Sequence, residues 1–228
     1  MKICGIIPNG LFIIYFLFVS RSYSFRESII TFIFKKVFFV MGKRVFDILF
    51  SIIGLLVIGW LVVLFFILAS IDTRQNGLFV QERIGQYGRK FRIYKLRTIQ
   101  WNSIGEPVVS SFGNFLRNSK IDEFPQLYNV LINDMSFVGP RPDIAGYYDQ
   151  LKGTDRQLLE LKPGITCPAS LVYRHEEKLL SLQADPVKYN DEVIFPDKVR
   201  INLIYHANRS LWLDLQILFR TIFCTIGI

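Results

Sequence analysis

Cysteine and histidine are scarce in this chain. Three cysteines occur in 228 residues, Cys4, Cys167 and Cys224, and none belongs to a CxxC pair. An odd number, this widely spaced, excludes a disulfide framework and a cysteine zinc site, and it fits a reducing compartment. The two histidines, His175 and His206, leave little material for a histidine metal centre or a Ser-His-Asp triad. His175 sits beside Glu176 and Glu177, which suits a solvated polar face. Proline is missing between Pro8 and Pro107, so nothing in that stretch forces a helix to break. Charge is missing from residues 48–71, "ILFSIIGLLVIGWLVVLFFILASI", over 24 positions. As a helix that run is about 36 Å long, enough for the roughly 30 Å hydrocarbon layer of a bilayer. Repeats and low-complexity tracts are also absent.

What is present is apolar and basic. The chain is 51% hydrophobic and 20% charged with a net charge of +8, and its mean hydropathy is +0.31. Both features in one chain mean that the apolar excess is concentrated in segments. The length suits one ordinary domain with appendages. The expected division is an apolar, basic extension over 1–42, a membrane segment over 43–73, and a cytoplasmic catalytic domain over 74–228. Within the extension, "LFIIYFLFV" is too short to span, and "IITFIFKKVFFV" mixes lysines with bulky apolar residues as an interfacial helix does. A secretory signal fits poorly, since Lys2 is the only early basic residue and no small-x-small cleavage site follows closely. Met41 opens "MGKRVFDILF" as a second candidate start.

Basic residues crowd both ends of the membrane segment: Lys35, Lys36, Lys43 and Arg44 before it, Arg74, Arg83, Arg89, Lys90, Arg92, Lys95 and Arg97 after it. Such residues mark the cytoplasmic side. Two arrangements answer this, a re-entrant helix that leaves by the face it entered, and a single span whose following domain stays cytoplasmic. The cationic surface suits anionic lipid headgroups or a polyphosphate substrate; no stacking or docking motif points to nucleic acid.

Beyond residue 72 the apolar runs shorten. "GLFVQERIG" and "KFRIYKLRTI" predict two extended segments around "GQYGRK", residues 99–114 predict a loop, and a helix is predicted from Ser119 or Asp122 to about Ile132. The end, "SLWLDLQILFRTIFCTI", has helical periodicity and should lie on the core or on a membrane surface.

The stretch "KIDEFPQLYNVLINDMSFVGPRP" carries the chemistry. Asp122 and Glu123 stand at the predicted helix start, where negative charge is stabilised and the Asp122 pKa should fall. Acidic residues at helix starts are commonplace; their company is what distinguishes these. Arg117 lies five residues before Asp122, Arg141 sits between Pro140 and Pro142, and Lys95 and Arg97 come from the basic strand. Cations form an anion site, while adjacent carboxylates can share a hard cation such as Mg2+ with phosphate oxygens. An ionised carboxylate can also attack phosphorus and form an acyl phosphate. The reading from another class is a non-catalytic membrane tether, which would need only net charge.

Taken in order, "KRVFD", the apolar segment, "QERIG", "FRIYKLRT", "LRNSKIDEFPQLYNVLINDMSFVGPRP" and "KPGIT" closely resemble the bacterial sugar transferases called monotopic phosphoglycosyl transferases. The resemblance covers residues 43 to about 168, and again "LWLDLQILFRTI". It implies an α+β, membrane-associated protein: one re-entrant or spanning helix and a small, mostly helical cytoplasmic catalytic domain with amphipathic interfacial helices. It implies Asp122 as nucleophile, Glu123 as a Mg2+ ligand alongside it, and Lys95, Arg97, Arg117 and the Pro140-Arg141-Pro142 turn as the phosphate and nucleotide site. The implied reaction moves phosphosugar from a UDP-sugar to a polyprenyl phosphate such as undecaprenyl phosphate, with UMP release. The implied setting is the cytoplasmic face of the bacterial inner membrane, with membrane lipid and downstream glycosyltransferases as partners.

Two features depart from the family pattern. Gly59-Trp60 stands where a Ser-Pro commonly breaks the membrane helix, so bending would fall to Gly54 and Gly59. Cys167-Pro168 replaces a frequent Gly-Trp, and the region beyond it carries no motif.

Overall fold

The computed structural model describes the backbone of residues 9–226 and the side-chain exposure of residues 37–224. The exposure of most of the expected interfacial helix at 29–40 therefore lies outside the described residues. The chain forms two units, Met1–Lys43 and Arg44–Ile228. Its first element, α1, spans Asn9–Thr73, and its stretch from Arg44 onward belongs to the second unit.

That second unit is mixed helix and sheet, an α+β fold as the sequence predicts. Strands β1 (Leu78–Ile84) and β2 (Lys90–Leu96) form the expected antiparallel hairpin, with Leu78 opposite Leu96 and Ile84 opposite Lys90. Its tight connection takes Tyr87 and Gly88 into positive φ. The stretch predicted as a loop is partly ordered. Strands β3 (Ile99–Trp101) and β4 (Pro107–Val109) pair there, and α2 begins within it (Ser111–Asn118). Asn102 explains the turn, because its Oδ1 accepts from the N–H groups of Ile104 and Glu106. Ser110 explains the helix start, its hydroxyl accepting from Gly113 N.

The helix predicted over 119–132 is also shorter than expected. Lys120 enters the left-handed region at φ 59, a 3-10 turn covers Ile121–Glu123, and α3 runs only from Gln126 to Leu131. Strands β5 (Ser136–Val138) and β6 (Gly164–Thr166) then pair in parallel. The motif-poor region folds into three short helices, α4 (Pro168–Val172), α5 (Glu176–Ser181) and α6 (Pro186–Tyr189), then a π-turn over Asn190–Ile194 and the longer α7 (Phe195–Asn208). The chain closes with α8 (Leu211–Ile226). Asp214 and Ile217 of α8 face inward while Trp212, Phe219 and Phe223 are exposed, so it has both a core face and an outward apolar face.

Val37–Thr73 is long and apolar enough to cross a membrane. From Arg44 on, however, one flank of this helix is fastened to the domain along its length. The Arg44 guanidinium donates to the carbonyls of Val130 and Leu131, both at 2.7 Å, so it satisfies the C-terminal end of α3. Asp47, 2% exposed, accepts from the Ser136 hydroxyl and the Phe137 N–H of β5. Further along, Val62, Phe65, Phe66 and Ala69 pack on Leu96, Phe112, Leu116 and Ile121. The opposite flank exposes large apolar side chains, Leu56, Trp60, Val63, Ile67 and Ile71 among them. A helix held this way lies along the domain between Arg44 and Thr73.

Its glycines do not break it. The helix continues through Gly54 and Gly59, and Gly54 instead admits Leu127, whose Cδ1 would lie 3.0 Å from an added Cβ.

A second pair of glycines builds the turn that carries Arg141. A Cβ on Gly139 would fall 2.1 Å from Lys162 O, and one on Gly164 would fall 2.2 Å from Gly139 N. Backbone meets backbone here, with Gly139 N donating to Thr166 O and Gly164 N to Pro140 O. Gly164→Ala is therefore expected to destabilise the fold by about 2 kcal/mol, read as a lowered urea midpoint, whereas Gly59→Ala, with open space around it, should leave the midpoint unchanged or raised.

Candidate active site

Three elements converge on the acidic pair. Strand β2 supplies Lys95, the 3-10 turn before α3 supplies Asp122 and Glu123, and the turn after β5 supplies Arg141. Both carboxylates are 8% exposed. They do not share their partners equally. Glu123 Oε1 accepts from Lys95 Nζ at 3.3 Å and from Arg141 Nη2 at 2.5 Å, and its Oε2 lies 3.4 Å from Arg141 Nη1. Asp122 Oδ1 is buried and has no hydrogen-bond partner.

This asymmetry separates two adjacent carboxylates chemically. Burial alone would raise the Glu123 pKa, but Arg141 and Lys95 overcome it and hold the group at about 2. Burial raises the Asp122 pKa, the Glu123 charge adds to the rise, and Lys95, Lys120 and Arg141 oppose it without cancelling it. The expected fall at Asp122 is thus reversed. The helix end invoked for it is a short turn, and desolvation outweighs the neighbouring cations. A buried carboxylate that is destabilised as an anion is a better nucleophile than one already clamped by guanidinium.

The other sequence-predicted residues divide. Lys95 lies against Glu123, and burial lowers its pKa. Pro140 and Pro142 are buried on either side of Arg141, and with Ile84, Gly85 and Tyr148 they line a depression that reaches Arg141. Arg117 donates through Nε to the Thr98 hydroxyl at 3.1 Å and has no ion pair among the described residues. Arg97 is not brought to the pair. Its Nε donates to Asn76 O at 2.7 Å and its guanidinium lies over the Phe79 ring, because it follows the end of β2 and turns toward the α1–β1 connection.

Sequence reasoning passed over several neighbours. Lys120 acts on both carboxylates; its adjacency to the pair was the available signal. Arg83 falls on the same face of the hairpin as Lys95, since alternate residues share a face and Arg83 pairs with Phe91. Its Nη1 is 3.9 Å from Asp143 and its Nε is buried without a partner. Gln126 is 2% exposed, and its Nε2 also lacks a partner.

No group of three or more His, Cys, Asp or Glu suited to a metal occurs among the described residues. Mg2+ needs only one or two protein carboxylates when phosphate oxygens and water complete its shell. Both Glu123 oxygens face cations, so the free donor for such an ion is Asp122 Oδ1. The residues fit a metal that arrives with a phosphate ligand, and they form no cage of their own.

An α1 flank with exposed large apolar side chains and a buried carboxylate pair beside Lys95 and Arg141 thus stand on one α+β unit. The chain belongs to the bacterial sugar transferase family, whose sequence profile matches residues 38–227. Among its relatives is galactosyl transferase CpsE of Streptococcus agalactiae, 31% identical over 220 residues, covering 86% of this chain and 45% of the relative. A Bacillus subtilis protein, provisionally named an undecaprenyl-phosphate N-acetylgalactosaminyl 1-phosphate transferase, is 35% identical over 161 residues, covering 61% of this chain and 90% of the relative. The UDP-glucose:undecaprenyl-phosphate glucose-1-phosphate transferase of Klebsiella pneumoniae is 31% identical over 196 residues, covering 79% of this chain and 39% of the relative. The chain thus spans less than half of the first and third.

The charge distribution predicts a pH profile. If ionised Asp122 is required, kcat/KM should fall on acidification with an apparent pKa above the ordinary 3.8, measured by initial rates between pH 4 and pH 8 on the scale of ordinary carboxylate titration. Glu123 contributes in the opposite sense to stability. Its folded value of about 2 lies below the ordinary 4.5, so its stabilisation is complete above 4.5 and is lost as pH falls toward 2.

Proposed function

We propose that this protein moves a sugar 1-phosphate from a UDP-sugar onto undecaprenyl phosphate at the cytoplasmic face of the bacterial inner membrane, starting assembly of a surface glycan. The observation that carries the reading is the unpartnered, buried Asp122 oxygen beside a Glu123 already neutralised by Lys95 and Arg141. Relatives whose names specify undecaprenyl-phosphate sugar-phosphate transfer support the substrate classes. Those names carry different sugars, and the donor sugar of this chain is left to a substrate panel.

Two displacements at one phosphorus account for the transfer. An oxygen of ionised Asp122 attacks the sugar-linked phosphorus of the donor; the new O–P bond forms as the bridging P–O bond breaks, and UMP departs with the bridging oxygen. A phosphate oxygen of the polyprenyl acceptor then attacks the same phosphorus. The acyl–phosphate bond breaks, Asp122 is restored as a carboxylate, and the product is a polyprenyl diphosphate sugar. Lys95 and Arg141 hold negative charge beside the reaction, and Arg117 is available for a donor phosphate. Mg2+, brought in on the donor diphosphate and met by the free Asp122 oxygen, would neutralise part of the diphosphate charge. The apolar flank of α1 supplies the lipid seat that the acceptor requires, and membrane lipid is thereby a standing partner.

The test uses the full chain in membranes or nanodiscs with UDP-glucose, UDP-galactose and UDP-N-acetylgalactosamine. One donor should release UMP in the presence of undecaprenyl phosphate, and Asp122→Asn should lower that release by at least about a thousandfold, the scale of loss when a nucleophile is removed. Chelation should stop turnover and Mg2+ should restore it. Wild-type rates in Asp122→Asn would refute the nucleophile.

A further inference from the structure

The acidic pair is followed one turn later by a glutamine that no part of the preceding scheme uses. Gln126 opens α3, three residues beyond Glu123 and four beyond Asp122. The intervening Phe124 and Pro125 are in the right-handed helical region, and the surrounding backbone bonds are of the tight type, Phe124 N to Ile121 O and Leu127 N to Phe124 O. Residues three and four apart stand on one flank under either helical period. The Gln126 side chain therefore belongs to the flank that carries the two carboxylates.

Its burial makes it unusual. Gln126 is 2% exposed, yet its Nε2 donates to nothing. A buried donor left unpaired costs about 1–3 kcal/mol, and native interiors keep few of them. Four residues earlier, on the same flank by helical spacing, stands an acceptor in the same state, Asp122 Oδ1. A ligand that is bonded to one and accepts from the other would satisfy both. An acyl phosphate is such a group: the Asp122 oxygen becomes its ester atom, and its phosphoryl oxygens are acceptors.

We infer that Gln126 is a catalytic residue whose amide N–H donates to a phosphoryl oxygen of the substrate as it is transferred to Asp122 and of the phosphosugar then bound there. The inference rests on the aspartyl-phosphosugar reading above. Its physical logic is that of a preplaced donor. Charge accumulates on the equatorial phosphoryl oxygens during transfer, and a neutral amide held by burial stabilises it without adding another cation to Lys95 and Arg141.

Gln126→Met separates this role from a structural one. Methionine keeps the length and removes the orphan donor, so on packing grounds the variant should be as stable as the wild type or more so. The full chain is mixed in nanodiscs with the donor that releases UMP, without acceptor lipid, and the phosphosugar adduct is followed by intact mass on rapid quenching. The expected result is an unchanged or raised unfolding midpoint together with adduct formation slowed by about a hundredfold, the usual loss when one such donor is removed. The KM for the donor should change far less than kcat. Gln126→Glu, isosteric and anionic, should be at least as slow. An adduct formed in Gln126→Met at the wild-type rate overturns the assignment, as does a Gln126→Met protein that fails to fold, which would make the amide structural. If the wild type itself forms no adduct, the aspartyl reading falls and takes this assignment with it, an outcome distinct from a normal wild-type adduct that the variant matches.

Discussion

Everything in the site turns on the clamp around Glu123. One carboxylate takes two cations, Lys95 and Arg141, and by doing so leaves its neighbour with none bonded to it. Two adjacent ionised carboxylates repel, and burial raises the cost of both charges. The clamp resolves that conflict asymmetrically. Glu123 stays ionised well below the ordinary range while Asp122 is held in a poorly solvated, acceptor-only state. Had the cations been shared evenly, both groups would be tightly paired salt-bridge partners with reduced nucleophilicity.

The clamp depends in turn on where its members are anchored. Arg141 reaches Glu123 because Gly139 and Gly164 let two backbones touch behind it. The far end of α3 is held by Arg44, and β5, which leads into Arg141, is held by Asp47. Both anchors stand on the first turns of α1 within the second unit. The stretch of α1 from Arg44 onward is thus part of the scaffold that positions the carboxylate pair, and on the proposed function its other, apolar flank is the one offered to lipid. Seating and chemistry share one element.

Local patterns were legible in the sequence. The β1–β2 hairpin follows from alternating residues around a glycine-bearing turn, α8 from its periodicity, and the acidic pair with Lys95 and Arg141 from their order along the chain. Long-range facts were not. Nothing local says that Arg44 meets carbonyls 86 and 87 residues away, or that Gly54 exists to admit Leu127 instead of bending the helix. The direction of the Asp122 shift was misread because it depends on burial contributed by other segments, whereas the helix-end argument considered its own turn alone. Arg97 looked equivalent to Lys95 by spacing, yet the backbone leaves the strand between them and carries it to Asn76 and Phe79. The helices from α4 to α6 are short and depend on tertiary contacts such as Tyr173 to Asp197, so periodicity had too few turns to report them.

The account makes one distinction that sequence order does not, between two neighbouring carboxylates of which only one is free to bond to phosphorus. Proteolysis and tandem mass spectrometry of protein quenched after reaction with donor alone would locate the phosphosugar. The account predicts the modification on Asp122 and an unmodified Glu123. A phosphosugar on Glu123, or on any residue other than Asp122, would contradict it.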